Sequence, residues 1–171
     1  MDWIFSAFVG AAVLHVLEEY GYPGGFTDWM RRSSPRFAPF ITTRFAVIIN
    51  GLFLLLCGMG AIVASKSLVF SLSVASLLFV NGCIHLAGTI KAKRYAPGVV
   101  SGVLLYIPLS LYAFDSFVGS GQLSLAESAI TGLLGVVYNA VPISYLGLSS
   151  VIKRSQSARQ DKRRGRTGNS D

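Results

Sequence analysis

Hydrophobic residues along the chain fall into five long runs that are separated by short polar stretches. The runs cover Trp3–Glu19, Ile41–Ala64, Leu68–Ile90, Val99–Phe114 and Leu125–Val151. A helix needs about 20 apolar residues to cross a bilayer, within a range of about 17–25. The second, third and fifth runs are long enough, and we expect the shorter first and fourth runs to span with snorkelling ends or a thinned bilayer. The pattern predicts an all-α integral membrane bundle of five transmembrane helices over residues 1–151.

The composition agrees with a chain that is dissolved in lipid. Hydrophobic residues make up 52% of the 171 residues and charged residues only 13%, whereas soluble domains carry about 25% charged residues. The first run ends in Glu18 and Glu19 rather than at a small-residue cleavage site, so we expect it to be retained as a span. Cys57 and Cys83 lie in different runs at different predicted depths, and we expect no disulfide between them.

Positively charged residues alternate between the connections. Of the 15 Lys and Arg residues, only Lys66 lies in the second connection and none lies in the fourth; the rest fall in the first connection, the third connection and the tail. By the positive-inside rule this pattern predicts an N-terminus outside and a cytoplasmic C-terminal tail. The alternation requires an odd number of spans, and it explains the basic balance without nucleic acid. A multi-pass protein of a bacterial inner membrane or an equivalent membrane is expected.

Two segments could contact anionic lipid headgroups. The first connection, residues 21–40, mixes aromatic residues with arginines, which suits a segment at headgroup level. An ordinary interfacial loop with an aromatic belt is the favoured alternative. The tail, residues 152–171, is polar, basic and free of aromatic residues, so it is predicted to be disordered and close to lipid headgroups. The oligomeric state is left open.

A dense group of ionisable residues ends the first hydrophobic run. Positions i, i+3 and i+4 of a helix share a face, so His15 can lie beside both Glu18 and Glu19. The chain has only one other histidine, His85, near the end of the third run. The first and third runs point in the same direction, so both histidines are predicted to lie at one depth. Ionisable groups in a membrane are costly, and a functional site is the default hypothesis.

Two imidazoles and a carboxylate at one level suit a divalent ion such as Zn or Fe. We predict that His15, His85 and Glu19 hold the ion and that Glu18 acts as general base or supports a ligand, with the two glutamates interchangeable in these roles. Consecutive helical residues point about 100° apart, so Glu19 should face His85 and Glu18 the cytoplasmic rim. Basic residues that could balance the rim charge are Arg31, Arg32 and Lys93.

Further candidate residues lie near the predicted site. Tyr95 would orient a substrate oxygen or close the site, and Pro97 and Gly98 would shape the turn that presents it. Asparagines inside the spans could contact substrate or support ligands, although interhelical hydrogen bonding is the commoner role. They are Asn50, Asn81 and Asn139.

Three separated motifs carry a family resemblance. The sequence His15-Val-Leu-Glu18-Glu19, the second histidine His85, and Tyr95-Ala96-Pro97-Gly98 resemble the HXXEE-domain family. That family has a His-x-x-Glu-Glu motif, a further histidine and a Tyr-x-Pro-Gly motif, and all three occur here in order over about residues 1–110. The resemblance implies an integral membrane protein and leaves its substrate undefined.

The sequence favours a membrane-embedded, metal-dependent enzyme that acts on a lipid or other amphiphile at the cytoplasmic leaflet, by hydrolysis or isomerisation. One alternative is an ion- or proton-binding transporter that uses the same residues, although no inverted repeat is apparent. Another is a lipid-binding or assembly protein without catalysis. A third treats the histidines and glutamates as interhelical glue or interfacial anchors.

Overall fold

A computed structural model describes the backbone of residues 3–167 and the side chains of residues 3–153 and 155–156. Residues 3–167 form helices and connections without a strand. The helices are α1 (Trp3–Gly21), α2 (Gly25–Ser33), α3 (Thr43–Ile62), α4 (Leu68–Ala92), α5 (Val99–Gly119) and α6 (Leu125–Thr167). All except α2 are long and apolar enough to cross a membrane. The first and fourth spans, which the sequence predicts to be short, are 19 and 21 residues long. Both therefore reach span length without snorkelling ends or a thinned bilayer.

The connections alternate between the two ends of the bundle, as the five-span pattern predicts. Arg94, which follows α4, donates a hydrogen bond to Ser33 in the first connection at 2.9 Å. Lys153 of α6 lies over the Phe40 ring at 5.7 Å, so the start of the tail is at that end too. We call this the basic end. Lys66 lies at the opposite end, between α3 and α4.

Helix α4 is the centre of the bundle and packs against α1, α3, α5 and α6. It approaches the start of α5 closely, where Gly82 meets Gly102. A Cβ atom placed on Gly82 would lie 2.9 Å from the Gly102 carbonyl oxygen, so a larger residue would separate the helices. The contact positions the first turns of α5 beside the turn of α4 that carries His85.

Helix α5 changes its winding near its start. One α-helical turn over Val99–Ser101 is followed by a π-helical segment over Gly102–Tyr106 and by α-helix from Ile107 to Gly119. Pro108 has no N–H and cannot form the usual bond to the carbonyl four residues earlier. Such π-helical insertions are frequent at functional sites, and this one ends at the fully buried Tyr106.

Two segments differ from the sequence-based picture. Helix α6 continues without interruption through Thr167, so residues 152–167 are helical where the sequence predicts disorder, while residues 168–171 lie outside the described residues. Arg, Lys, Gln and Ala are good helix formers, and no proline follows Pro142 to stop the helix. In the first connection, α2 is a short helix where the sequence favours an interfacial loop.

Candidate metal centre

His15, Glu19 and His85 converge inside the basic half of the bundle. His15 and Glu19 are one turn apart on α1, and His85 comes from α4. Their exposures are only 2%, 5% and 3%. The Nε2 atoms of His15 and His85 lie 3.5 and 3.3 Å from the same oxygen, Glu19 Oε1, and the two ring centroids are 4.7 Å apart. The two histidines therefore face each other at one depth, as the sequence predicts.

The spacing of these atoms suits a divalent ion. One ligand atom from each of the three residues lies within 4.8 Å of the others. Ligand atoms held at about 2.1 Å in a tetrahedral zinc site are about 3.4 Å apart, which is close to both Nε2–Oε1 distances. Two imidazoles and one carboxylate are also a donor set that zinc and iron accept. The residues present fit such an ion.

Ser101 of α5 orients the His15 ring. Its Oγ lies 2.9 Å from His15 Nδ1 and donates its proton to Glu18 Oε2 at 2.5 Å. A serine hydroxyl has one proton to donate, so His15 Nδ1–H must be the donor in the first contact. That tautomer leaves a lone pair on His15 Nε2, the atom that faces Glu19. Metal-binding histidines are commonly oriented through the other ring nitrogen in this way.

Glu18 accepts hydrogen bonds from five donors around the start of α5. Oε1 accepts from the Tyr95 hydroxyl at 2.5 Å and from the backbone N–H groups of Gly98 and Val100 at 3.0 Å. Oε2 accepts from the N–H and the hydroxyl of Ser101 at 2.8 and 2.5 Å. The first N–H groups of a helix have no partner within the helix, and they attract negative charge. Glu18 therefore joins α1 to the N-terminus of α5.

The predicted basic partner of Glu18 is replaced by these donors. Arg31 instead pairs with Asp28 at 3.2 Å, and its Nε–H donates to the Ile41 carbonyl. Tyr95 holds Glu18 rather than lying free to meet a substrate. Partial burial and the hydrogen bond to Glu18 raise the pKa of Tyr95 to about 12, so its hydroxyl stays a donor at neutral pH.

Gly98 brings the backbone of the Tyr-x-Pro-Gly turn directly over the two imidazoles. Its φ is +93°, a conformation that residues with a Cβ rarely adopt. A Cβ here would lie 2.6 Å from His15 Cε1 and 2.8 Å from His85 Cε1. The neighbouring Pro97 is fully buried. Both the backbone conformation and the space therefore require glycine at this position.

The three candidate asparagines have different surroundings. Asn50 of α3 donates a hydrogen bond to Glu19 Oε2 at 2.8 Å, which brings a third helix to the cluster. Asn81 has a buried Oδ1 atom without a hydrogen-bond partner among the described residues. Asn139 donates from Nδ2 to one carbonyl of α4 and one of its own helix. Asn139 is thus an interhelical hydrogen bonder, the role that is commoner in membrane proteins.

Sequence reasoning missed three residues that shape the site. Ser101 could have been found as the third residue after Gly98, in the first turn of the following helix. The rings of Phe26 and Tyr106 lie 4.9 Å from His85 and 4.6 Å from His15. Phe26 belongs to α2 and Tyr106 ends the π-helical segment. Nothing in the local sequence signals either contact, because both depend on how separate segments pack.

A cavity of about 120 Å³ adjoins the cluster. It lies between α2, α3, α4 and α6, and Glu19 and His85 form part of its wall. The rest of the wall is largely apolar, with the amides of Asn81 and Asn139 among the few polar groups. A bound molecule could therefore reach Glu19 and His85 from an apolar space.

The fold and this cluster define a class: an all-helical protein with five potential membrane spans and a buried histidine–glutamate site. The family model described as a protein of unknown function with HXXEE motif matches residues 5–113, and the chain belongs to that family. The matched region contains every residue of the cluster. Neither a curated protein nor a solved structure matches the chain significantly.

Proposed function

We propose that the protein is a membrane-embedded, metal-dependent enzyme that acts on a lipid or other amphiphile at the cytoplasmic leaflet. The observation that carries the proposal is the convergence of His15, Glu19 and His85 on one buried point beside an apolar cavity. The cytoplasmic side follows from the positive-inside rule, because the cluster is at the basic end. Hydrolysis and isomerisation are the reaction classes we favour.

His15, Glu19 and His85 would hold a zinc or iron ion. Such an ion supplies Lewis acidity and lowers the pKa of a bound water toward about 7. Asn50 fixes the second oxygen of Glu19 through its amide. Of the two glutamates, Glu19 faces the cavity, so it is the carboxylate placed to exchange a proton with a bound molecule.

Glu18 is a positioning residue in this proposal. Five donors already occupy its two oxygens, so it has little capacity left to take a substrate proton. It acts through Ser101, whose hydroxyl sets the tautomer of His15. In this proposal Glu18 orients a ligand and does not handle protons, the role that the sequence suggests for it.

Metal content decides the proposal. The full-length protein, purified in detergent, should contain about one zinc or iron per chain by element analysis. Glu19→Gln should lose this metal, because an amide is a much poorer ligand than a carboxylate. Glu18→Gln should keep the site but weaken its metal affinity by about 10–100-fold, the usual effect of losing an outer-shell partner.

Glu127→Gln is the matched control, since the Glu127 carboxylate bonds Ser124 at the opposite end of the bundle and no other residue that the structure describes. It should bind metal like the unaltered protein. If folded, helical Glu19→Gln protein retained the full metal content, or if the unaltered protein took up no metal, the cluster would be a hydrogen-bonded structural element instead.

A further inference from the structure

A basic groove lies next to the cluster, on the side of α2. Its volume is about 440 Å³, and His85 forms part of its wall. Three cations line it, Arg32 from α2, Lys91 from the last turn of α4, and Arg94 just beyond, whereas no carboxylate is among its lining residues. Such a concentration of one sign of charge favours an anion. Trp29 also lines the groove, and its indole N–H is buried without a partner among the described residues.

An apolar cleft leaves the cluster in a different direction, between α3 and α6. The 120 Å³ cavity beside Glu19 continues into a second cavity of about 220 Å³, which is closer to the middle of the spans. The two cavities share lining residues from α3, α4 and α6. These are Ile49, Asn81, Asn139 and Pro142. We call the two cavities together the α3–α6 cleft.

The cleft is open toward lipid. Both flanking helices expose large apolar side chains along it, including Leu52 of α3 and Val141 of α6, which also line the inner cavity. At the basic end the rings of Phe45 and Tyr145 stack across the cleft, with centroids 5.6 Å apart. A hydrocarbon chain could therefore enter the cleft sideways from the bilayer, between this aromatic pair and the middle of the spans.

The basic groove and the cleft meet at His85. Both are lined by His85 and by apolar residues around it, Phe26, Met30 and Ile84. An anionic group in the groove and a hydrocarbon chain in the cleft would thus lie on two sides of the cluster. The bond that joins them would cross beside Glu19 and His85.

We propose that the site binds an amphiphile with an anionic, phosphate-like head in the basic groove and a hydrocarbon chain in the α3–α6 cleft. This inference rests on the proposed function for its location and extends it to a class of substrate. The membrane, rather than the aqueous phase, is the source of this ligand, because the cleft faces lipid. Free phosphate would satisfy only the groove.

The binding test uses Trp29 as its reporter. The chain has two tryptophans, so Trp3→Phe leaves Trp29 alone at the groove. The full-length protein in phosphatidylcholine nanodiscs is titrated with dodecyl phosphate, with inorganic phosphate and with dodecanol. Dodecyl phosphate should change the fluorescence saturably, with a midpoint at least about tenfold lower than that of either part alone. Equal midpoints for dodecanol and dodecyl phosphate would overturn the anionic head.

Matched variants locate the two parts of the ligand. Arg32→Gln should weaken dodecyl phosphate binding by about tenfold, as expected for a lost charge-assisted hydrogen bond. Arg36→Gln removes the same charge from the same connection outside the groove and should have no effect. Equal losses in both variants would show general attraction and refute the groove. Ala46 of α3 lines the cavity of about 120 Å³ in the cleft. Ala46→Phe, which fills this cavity, should weaken dodecyl phosphate binding and leave inorganic phosphate binding unchanged. Unchanged dodecyl phosphate binding would refute the cleft.

Metal content measured on the same samples separates this inference from the proposed function. Arg32→Gln and Ala46→Phe should retain metal like the unaltered protein, so lost binding with retained metal concerns the ligand alone. Normal dodecyl phosphate binding by a protein that takes up no metal would leave the ligand class intact and remove the metal-dependent chemistry.

Discussion

Glu18 and Glu19 are neighbours in sequence with opposite surroundings. Glu19 turns into the bundle toward His15 and His85, and Glu18 turns toward the start of α5. The separation follows from helix geometry, since consecutive residues point about 100° apart. One carboxylate therefore meets imidazoles while the other meets backbone N–H groups. Two consecutive glutamates can therefore contact two different groups at one depth.

The hydrogen bond between Tyr95 and Glu18 should make Tyr95 lose its proton at a higher pH than an ordinary tyrosine. The pKa of Tyr95 is raised to about 12 by burial and by Glu18, compared with about 10 for an ordinary tyrosine. Its contribution to stability should be complete below about pH 10 and lost as the pH rises toward about 12, because the unfolded chain releases the proton first. The measurement is the phenolate absorbance of the protein minus that of Tyr95→Phe.

In this difference titration, Glu18→Gln should move the Tyr95 signal back toward about pH 10. The Tyr22 ring lies 5.2 Å from the Tyr95 ring at a tilt of 34°. Tyr22→Phe is a control, because it leaves the hydrogen bond between Tyr95 and Glu18 in place. A Tyr95 signal near pH 10 in the unaltered protein would contradict the bond.

At this scale the sequence predicts the clustered side chains better than the residues that support them. Equal depth follows from counting residues along two parallel spans, so His15 and His85 could be paired without coordinates. The five donors on Glu18 could not be foreseen, because they depend on where the N-terminus of α5 meets α1. The sequence predicts a basic partner for Glu18, but Arg31 pairs with Asp28.

The contact between α4 and α5 is a close helix approach near the site. Gly82 and Gly102 let the backbones meet, and small residues serve this purpose widely in membrane helices. This contact also fixes a residue of the site. The start of α5, with Ser101, is held within hydrogen-bonding distance of His15.

Gly82→Ala should lower the free energy of unfolding by about 1–3 kcal/mol, the usual cost of overfilling a packed contact. The added methyl would lie 2.9 Å from the Gly102 carbonyl oxygen, and backbone cannot move aside cheaply. Gly58→Ala in α3 is the control, because its Cβ would meet nothing within 4 Å. Thermal unfolding in detergent, followed by circular dichroism, measures both. Equal stability of the two variants would show that the α4–α5 contact can accommodate a methyl group.

Periodicity and length predict the spans well, because a membrane helix must be long and apolar throughout. They fail where the environment is mixed. Helix α2 is short and polar, and it is held by contacts such as Phe26 with His85, which no local pattern shows. The tail is polar, basic and free of aromatic residues, which predicts disorder, yet its backbone continues the helix of α6 as far as Thr167.

For the whole molecule, the distribution of charge and the arrangement of helices agree. The connections rich in Lys and Arg meet at one end, where Arg94 bonds Ser33. The single basic residue of the second connection, Lys66, lies at the other end. The positive-inside rule then predicts which end faces the cytoplasm.

Accessibility labelling can test this orientation. In a chain without Cys57 and Cys83, Lys66→Cys should react with a membrane-impermeant maleimide added to intact spheroplasts. Lys93→Cys should react only after permeabilisation, because it lies at the basic end. Labelling of both positions from the same side would contradict the five-span topology. Labelling of Lys93→Cys alone in intact spheroplasts would reverse the predicted orientation.

The buried cluster and one wall of the α3–α6 cleft come from different parts of the chain. His15, Glu19, His85 and the residues that orient them all precede the fifth span, whereas α6 supplies only one wall of the cleft. The family match, residues 5–113, also ends before α6 begins. Under the proposed function, the residues that hold the metal and the wall that selects the ligand are therefore separable in this architecture. Replacing the last helix could change which molecules enter the cleft while the buried cluster stays intact. Related chains could therefore share the proposed reaction and differ in substrate.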